Sequence, residues 1–177
     1  MPQELQGWGP DFFDAFRNGE EQAFDRVFRA YHGPLTFFAF KYVQDEKQAE
    51  DIVQDCFAEL WERRHKLSAV QSIRSYLYRC VYNHCAKFLD KILQKRGRPP
   101  EIPAEPEQTN IIESEIMMQV LQVIEHLPSR MKQVLQMHYL EDKSLEEIGR
   151  AIGIDSETAR SHRYRAIQLI RKTIITS

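Results

Sequence analysis

The chain has 177 residues, enough for one or two small domains, and its 42% hydrophobic content can bury a core. A net charge of −2 argues against a uniformly basic nucleic-acid binder and leaves room only for a local basic footprint. No apolar run approaches bilayer length, and the opening MPQELQGWGPDFF has neither a basic n-region nor an apolar h-region, so a cytoplasmic protein without membrane insertion is expected.

Pro10 and Asp11 can open a first short helix carrying Phe12, Phe13 and Phe16, with Asn18-Gly19 as its stop. A second helix follows over 20–31, with Phe24, Val27, Phe28 and Tyr31 inward. Gly33-Pro34 is expected to break it and start a third helix, with Leu35, Phe38, Ala39, Tyr42 and Val43 at core spacing. The next helix, 45–64, has Ala49, Ile52, Val53, Phe57 and Leu60 on its inner stripe. Its outer face carries Asp51, Gln54, Asp55, Glu59 and Glu62. Asp51 and Asp55 are i,i+4 neighbours of like charge. A solvated face and a protein-binding face both fit this pattern. The first 93 residues hold 12 Lys and Arg against 14 Asp and Glu, consistent with an acidic face for a protein partner.

Residues 65–73 read as a loop leading into a helix over 73–93. One stripe of that helix is apolar (Leu77, Val81, Phe88, Ile92), and Tyr76, Arg79, Asn83 and Lys87 lie on another. An aromatic, an amide and two cations can serve single-stranded nucleic acid, rings stacking on bases and cations meeting phosphates. An ordinary mixed surface has the same composition. The three cysteines, Cys56, Cys80 and Cys85, are an odd number suited to a reducing compartment. Cys80, His84 and Cys85 do not have zinc-signature spacing and read as buried, inert thiols. No metal or other cofactor is expected. The chain also lacks an HExxH motif, a Gly-rich phosphate loop and a completed carboxylate pair, so it reads as a non-enzyme.

Residues 94–110, with Pro99, Pro100, Pro103 and Pro106, read as a flexible linker between a first domain at 10–93 and a second at 111–177. The second begins with an amphipathic helix over 111–127, with Ile112, Ile116, Val120, Val123 and Ile124 inward. A helix from Pro128-Ser129 to Leu140 follows. Ser144 and Glu147 form a capping-box signature before Leu145, Ile148 and Ile152. Gly149 allows a close helix approach, Gly153 ends the helix, and Asp155 or Ser156 caps the last one, expected over 157–174. This is a helix-turn-helix. From residue 158 onward its last helix holds Arg160, Arg163, Arg165, Arg171 and Lys172 and no acid. Ser156, Glu157, Arg160, Ser161 and Tyr164 in its first turns can reach base edges and phosphates in a major groove. A solvated basic helix closing a bundle is the plainer alternative, since cations late in a helix also suit its dipole.

Together these blocks resemble the extracytoplasmic-function (ECF) group of bacterial RNA polymerase sigma factors, from Glu20 to Lys172. Ala49-Glu50-Asp51-Ile52-Val53-Gln54-Asp55, with Phe57, Leu60 and Trp61, is similar to the core-binding helix of region two. Ser75-Tyr76-Leu77-Tyr78-Arg79 with Asn83 is similar to the promoter-melting helix. Leu127-Pro128-Ser129-Arg130, Tyr139-Leu140-Glu141, Glu146-Glu147-Ile148-Gly149 and Thr158-Ala159-Arg160-Ser161 are similar to region four. The resemblance implies an all-α protein of two small helical domains, a region-two bundle and a region-four helix-turn-helix. It implies that Asp51, Gln54 and Asp55 meet the clamp helices of the polymerase β′ subunit, and that region four docks on the β flap. Tyr76, Arg79, Asn83 and Lys87 would serve the minus-10 strand, and the 65–73 loop would help capture a flipped base. Ser156, Glu157, Arg160, Ser161, Tyr164 and Arg165 would meet the minus-35 duplex. An anti-sigma factor is a further implied partner. A free-standing helix-turn-helix regulator is the alternative. Tyr76 stands where the family often has Trp, Ala159 where a larger aliphatic is usual, and Arg163 where an apolar residue is common. Arg163 falls on the inner side of its helix and is expected to snorkel out or pair with Glu146 or Glu147.

Overall fold

The computed structural model describes residues 8–95, 97 and 105–176, and within them the chain is all-α, with eight α-helices and no strand. Two compact units part between Glu115 and Ile116.

The first unit begins with Trp8, which is buried and stacks on Phe12 at 4.5 Å between ring centroids. Helix α1, Pro10–Asn18, has Pro at its start and ends at Gly19, whose φ of 84° is left-handed. Helix α2 runs unbroken from Glu21 to Val43, with Pro34 inside it. The expected break at Gly33-Pro34 is therefore absent. An interior proline removes one backbone hydrogen bond and crowds the preceding turn, at about 3 kcal/mol. Val27, Ala30 and Tyr31 before it and Leu35, Phe38 and Ala39 after it are all buried in one core. Each large apolar side chain contributes roughly 1.5–3 kcal/mol on burial, so one continuous stripe outweighs the proline penalty.

Helix α3, Glu46–Arg63, starts at Asp45, whose carboxylate accepts from the Gln48 amide at 2.9 Å. A 3₁₀ turn, Arg64–Lys66, follows, and helix α4 spans Val70–Lys95. The expected 65–73 loop is thus only 67–69, and the helix begins three residues early. Ser72 Oγ exchanges hydrogen bonds with the Ala69 backbone at this start. Ala49, Ile52, Val53, Cys56, Phe57 and Leu60 of α3 meet Ile73, Leu77, Tyr78, Val81 and Cys85 of α4 in the same core.

Of the stretch read as linker, Gln94 and Lys95 close α4, and Gln108–Asn110 open helix α5, Gln108–Glu125. Pro99, Pro100 and Pro103 lie outside the described residues. The first two turns of α5 belong to the first unit. Ile111 enters its core, Lys41 Nζ donates to Asn110 Oδ1 at 2.7 Å and Glu113 Oε2 at 2.6 Å, and Asn110 Nδ2 donates to the Tyr42 hydroxyl. The inward stripe also differs from expectation. Ile111, Ser114 and Glu115 are buried, whereas Ile112 and Ile116 are exposed. Ser114 Oγ satisfies itself on the Asn110 carbonyl. Glu115 forms a two-pronged pair with Arg74, Nε–Oε1 2.7 Å and Nη2–Oε2 3.1 Å. A polar side chain can take a core position when such a partner awaits it, and no apolar-periodicity count registers that.

In the second unit, helix α6, Ser129–Tyr139, helix α7, Leu145–Ile152, and helix α8, Ser156–Thr176, pack through two small clusters. Leu127, Leu135 and Ala166 form one; Val134, Ile148 and Ala159 form the other. Ser144 and Glu147 complete the capping box in both directions. Both Glu147, by the Ser144 backbone and hydroxyl, and Asp155, by Thr158, are held below the usual carboxylate range.

Gly149 marks the tightest approach. A Cβ there would lie 2.6 Å from the Ile154 carbonyl oxygen, and the Ile154 amide is itself tied to the Gly149 carbonyl at 2.9 Å. The obstacle is backbone, so it cannot swing away. Gly149→Ala is expected to lower the unfolding free energy of the second unit by about 1–3 kcal/mol, read by urea denaturation. An unchanged midpoint would show that the turn can open without loss.

Candidate functional site

Three exposed faces collect the residues singled out in the sequence. The first is the outer face of α3. Asp51, Gln54 and Asp55 are all exposed, one helical step apart, while Ile52, Val53, Cys56 and Phe57 between them are buried. Beside Gln54 runs a groove lined by Gly19, Glu21, Phe24, Phe28, Phe57, Ala58 and Trp61. Its rings are interlocked: Phe24 meets Trp61 edge-on at 5.0 Å, and Phe28 lies 4.8 Å from Phe57. The Arg64 guanidinium sits 4.3 Å over the Trp61 ring and donates to the Trp61 carbonyl at 2.6 Å. Aromatic rings next to exposed carboxylates form a surface of the kind protein partners use. Phe24 and Phe28, expected inward, do pack against the core and are half-buried where they line the groove.

The second face is on α4. Arg79, Asn83 and Lys87 are exposed, and Tyr76 is half-buried, its ring resting on the core. Burial above all pushes the Tyr76 phenol up to about 12, with Cys80 adding and Arg63 opposing, so it is a neutral hydrogen-bond donor at any physiological pH. Arg79 Nη2 meets Glu105 Oε1 at 2.7 Å. Both side chains are more than two-thirds exposed, so the pair contributes little stability and yields readily to a competing anion. The turn before this helix, 67–69, is shorter than the loop inferred for base capture.

The third face belongs to α8. Asp155, not Ser156, caps it: Oδ1 accepts from the Thr158 amide and Oδ2 from the Thr158 hydroxyl, both at 2.7 Å. Ser156 is half-buried in the first turn. Glu157, Arg160, Tyr164 and Arg165 are exposed, and Ser161 is half-buried among them. Arg160 Nε lies 3.6 Å from Glu157 Oε2 on the surface. Gln168, one turn beyond Tyr164, continues this stripe and was not singled out in the sequence, although helical spacing from Tyr164 points to it. The opposite side of α8 is anchored by Ala159 and Ala166, both fully buried.

Arg163 does not pair with Glu146 or Glu147. Its Nη1 meets His138 Nε2 on α6 at 2.9 Å, while His138 Nδ1 lies 3.0 Å from the Lys143 carbonyl. A ring that donates from Nδ1 to the carbonyl leaves Nε2 free to accept from the guanidinium. This explains how a cation occupies the inner side of the helix. Arg130 likewise donates to the terminal Ile152 carbonyl of α7 at 2.9 Å, which holds α6 to the turn.

With these faces in view, comparison with known proteins assigns the family. Residues 27–96 match the model of Sigma-70 region 2, and residues 117–170 match that of Sigma-70, region 4. The chain belongs to the ECF group of bacterial sigma factors. It is 26% identical over 138 residues to the RNA polymerase sigma factor SigV of Bacillus subtilis, covering 75% of this chain and 80% of that one. The RNA polymerase sigma-E factor of Streptomyces coelicolor is 24% identical over 162 residues, with 89% of each covered. The probable ECF RNA polymerase sigma factor SigI of Mycobacterium tuberculosis is 24% identical over 162 residues, 85% of this chain and 55% of that one. Sigma region 2 thus covers α3 and α4, and region 4 covers α6, α7 and most of α8. No described helix is long and apolar enough to cross a membrane.

Proposed function

We propose that this sigma factor docks on core RNA polymerase through the Asp51, Gln54 and Asp55 face of region 2, against the clamp helices of β′, with region 4 on the β flap. Tyr76, Arg79, Asn83 and Lys87 then hold the melted minus-10 strand. Ser156, Glu157, Arg160, Ser161, Tyr164 and Arg165 meet the minus-35 duplex in its major groove. The stretch between α4 and α5 tethers the two DNA-binding parts, with the first turns of α5 packed on the region 2 unit and the remainder leading into region 4. The factor acts in the cytoplasm, does no bond chemistry, and is held in check by an anti-sigma factor.

The observation that carries the DNA assignment is the polarity of α8. Its exposed stripe begins on one acid and continues through Arg160, Tyr164, Arg165 and Gln168, while Ala159 and Ala166 are fully buried on the other side, with Ile167 and Ile170 partly buried beside them. A helix packed through Ala159 and Ala166 stands close to its scaffold and presents long cationic side chains outward. Affinity for the duplex then falls as salt rises.

The test is reconstitution of the purified chain with sigma-free core polymerase on genomic DNA, sequencing the transcripts. Defined starts that share two short upstream boxes are the expected result. Asn83→Ala is expected to reduce those starts and leave co-migration with core polymerase unchanged; equal loss of both would put Asn83 on the wrong face. Duplex binding by the chain alone, with no starts and no co-migration, would favour a free-standing regulator.

A further inference from the structure

The sequence places Cys80 and His84 one helical turn apart on α4 without a zinc-type spacing. The fold supplies what the spacing lacks from the facing helix. Cys56 and Glu59, three residues apart on α3, point at the same spot. The ligand atoms of Cys56, Cys80 and His84 all lie within 4.8 Å of one another. Glu59 joins them, Oε1 at 2.8 Å from His84 Nε2 and Oε2 at 3.7 Å from Cys80 Sγ. Cys56 and Cys80 are buried, whereas His84 and Glu59 are partly open to solvent at 23% and 37%, which gives an ion a way in.

We propose that Cys56, Glu59, Cys80 and His84 form a tetrahedral site for Zn²⁺ or a similar thiophilic cation, which ties α3 to α4. Two thiolates and an imidazole select against Mg²⁺ and Ca²⁺, which take oxygen ligands. At Zn–S of about 2.3 Å and Zn–N of about 2.0 Å, neighbouring ligand atoms stand about 3.5–3.8 Å apart. Small side-chain rotations bring the present cluster to that size. On binding, both thiols give up a proton and Glu59 exchanges its contact with His84 for the metal. Cys85, also buried, lies outside the cluster. The site is independent of the polymerase and DNA assignments.

The full-length chain, reduced and stripped with chelator, is titrated with Co²⁺. The expected spectrum has a thiolate-to-cobalt charge-transfer band and the visible bands of a tetrahedral ion, saturating at one equivalent and erased by Zn²⁺. Cys85→Ser keeps the spectrum and Cys80→Ser loses the charge transfer. His84→Ala weakens binding by more than the ~10–100-fold typical of losing an outer-shell partner. A measurement on the unaltered chain guards against a variant that fails to fold: native mass spectrometry of the stripped chain should show one Zn²⁺ retained per chain after loading. No retained Zn²⁺, or Co²⁺ giving no charge-transfer band, would overturn the site. Ready closure of a Cys56–Cys80 disulfide in a chain that takes no Zn²⁺ would overturn it too, in favour of a redox pair.

Discussion

Asp51→Lys combined with Asp55→Lys is expected to weaken binding to core RNA polymerase by on the order of 100-fold, or about 2.7 kcal/mol, while leaving the melting curve in place. Both carboxylates are exposed on the outer face of α3, and the residues that hold α3 in the core lie between them. Substitutions at such positions change folding stability by about 0.5 kcal/mol or less. The parent already places two like charges at i,i+4, so the double reversal keeps the local repulsion and changes only the sign of the two charges. An acidic patch meeting a basic partner loses its attraction and gains repulsion when reversed, so the defect should shrink as salt is raised. Titration of labelled polymerase by fluorescence anisotropy at two salt concentrations, alongside a thermal melt, reads both. Unchanged affinity would move the polymerase contact away from Asp51 and Asp55.

Removal of Glu115 should cost the first unit a large share of its stability. Its side chain is 7% exposed, Arg74 opposite is 20% exposed, and the two meet through paired hydrogen bonds. The Arg74 guanidinium also lies 5.5 Å from the Tyr78 ring centroid. The Tyr31 and Tyr78 phenols are both pushed up, by burial first and by the Glu115 charge second, and Arg74 opposes that rise. Glu115→Ala leaves a partly buried cation without its partner, at about 3 kcal/mol. For a unit of roughly a hundred residues that lowers Tm by on the order of 15 °C. Arg74→Met with Glu115→Met removes both charges and should recover most of the loss, because paired apolar side chains of similar volume serve a buried position as well as an ion pair does. If the double variant is as unstable as Glu115→Ala, the loss comes from packing and not from the stranded charge.

This pair also bears on the tether. The two turns of α5 from Gln108 to Glu115 are fixed to the first unit by Lys41, Tyr42 and Arg74 as well as by Ile111.

The parts of this protein legible in the sequence are those whose chemistry is local. Ser144 and Glu147 are three residues apart and cap one helix; Gly153 takes a φ of 71° that other residues avoid; Asp155 reaches Thr158. Helix-turn-helix, all-α class and exposed faces follow from such short-range rules and from helical periodicity, because hydrogen bonds within a turn do not depend on the rest of the fold. Pro34 shows where this reasoning stops, since its local preference yields to a core shared by both halves of α2. The buried Glu115, the Arg163–His138 contact and the Cys56–Glu59–Cys80–His84 cluster each join residues on different helices. Nothing in the spacing along one helix reveals which side chain the next helix presents. The identity of a buried charge's partner, and whether two unremarkable pairs of ligand-bearing residues face each other, was decided only when the helices packed.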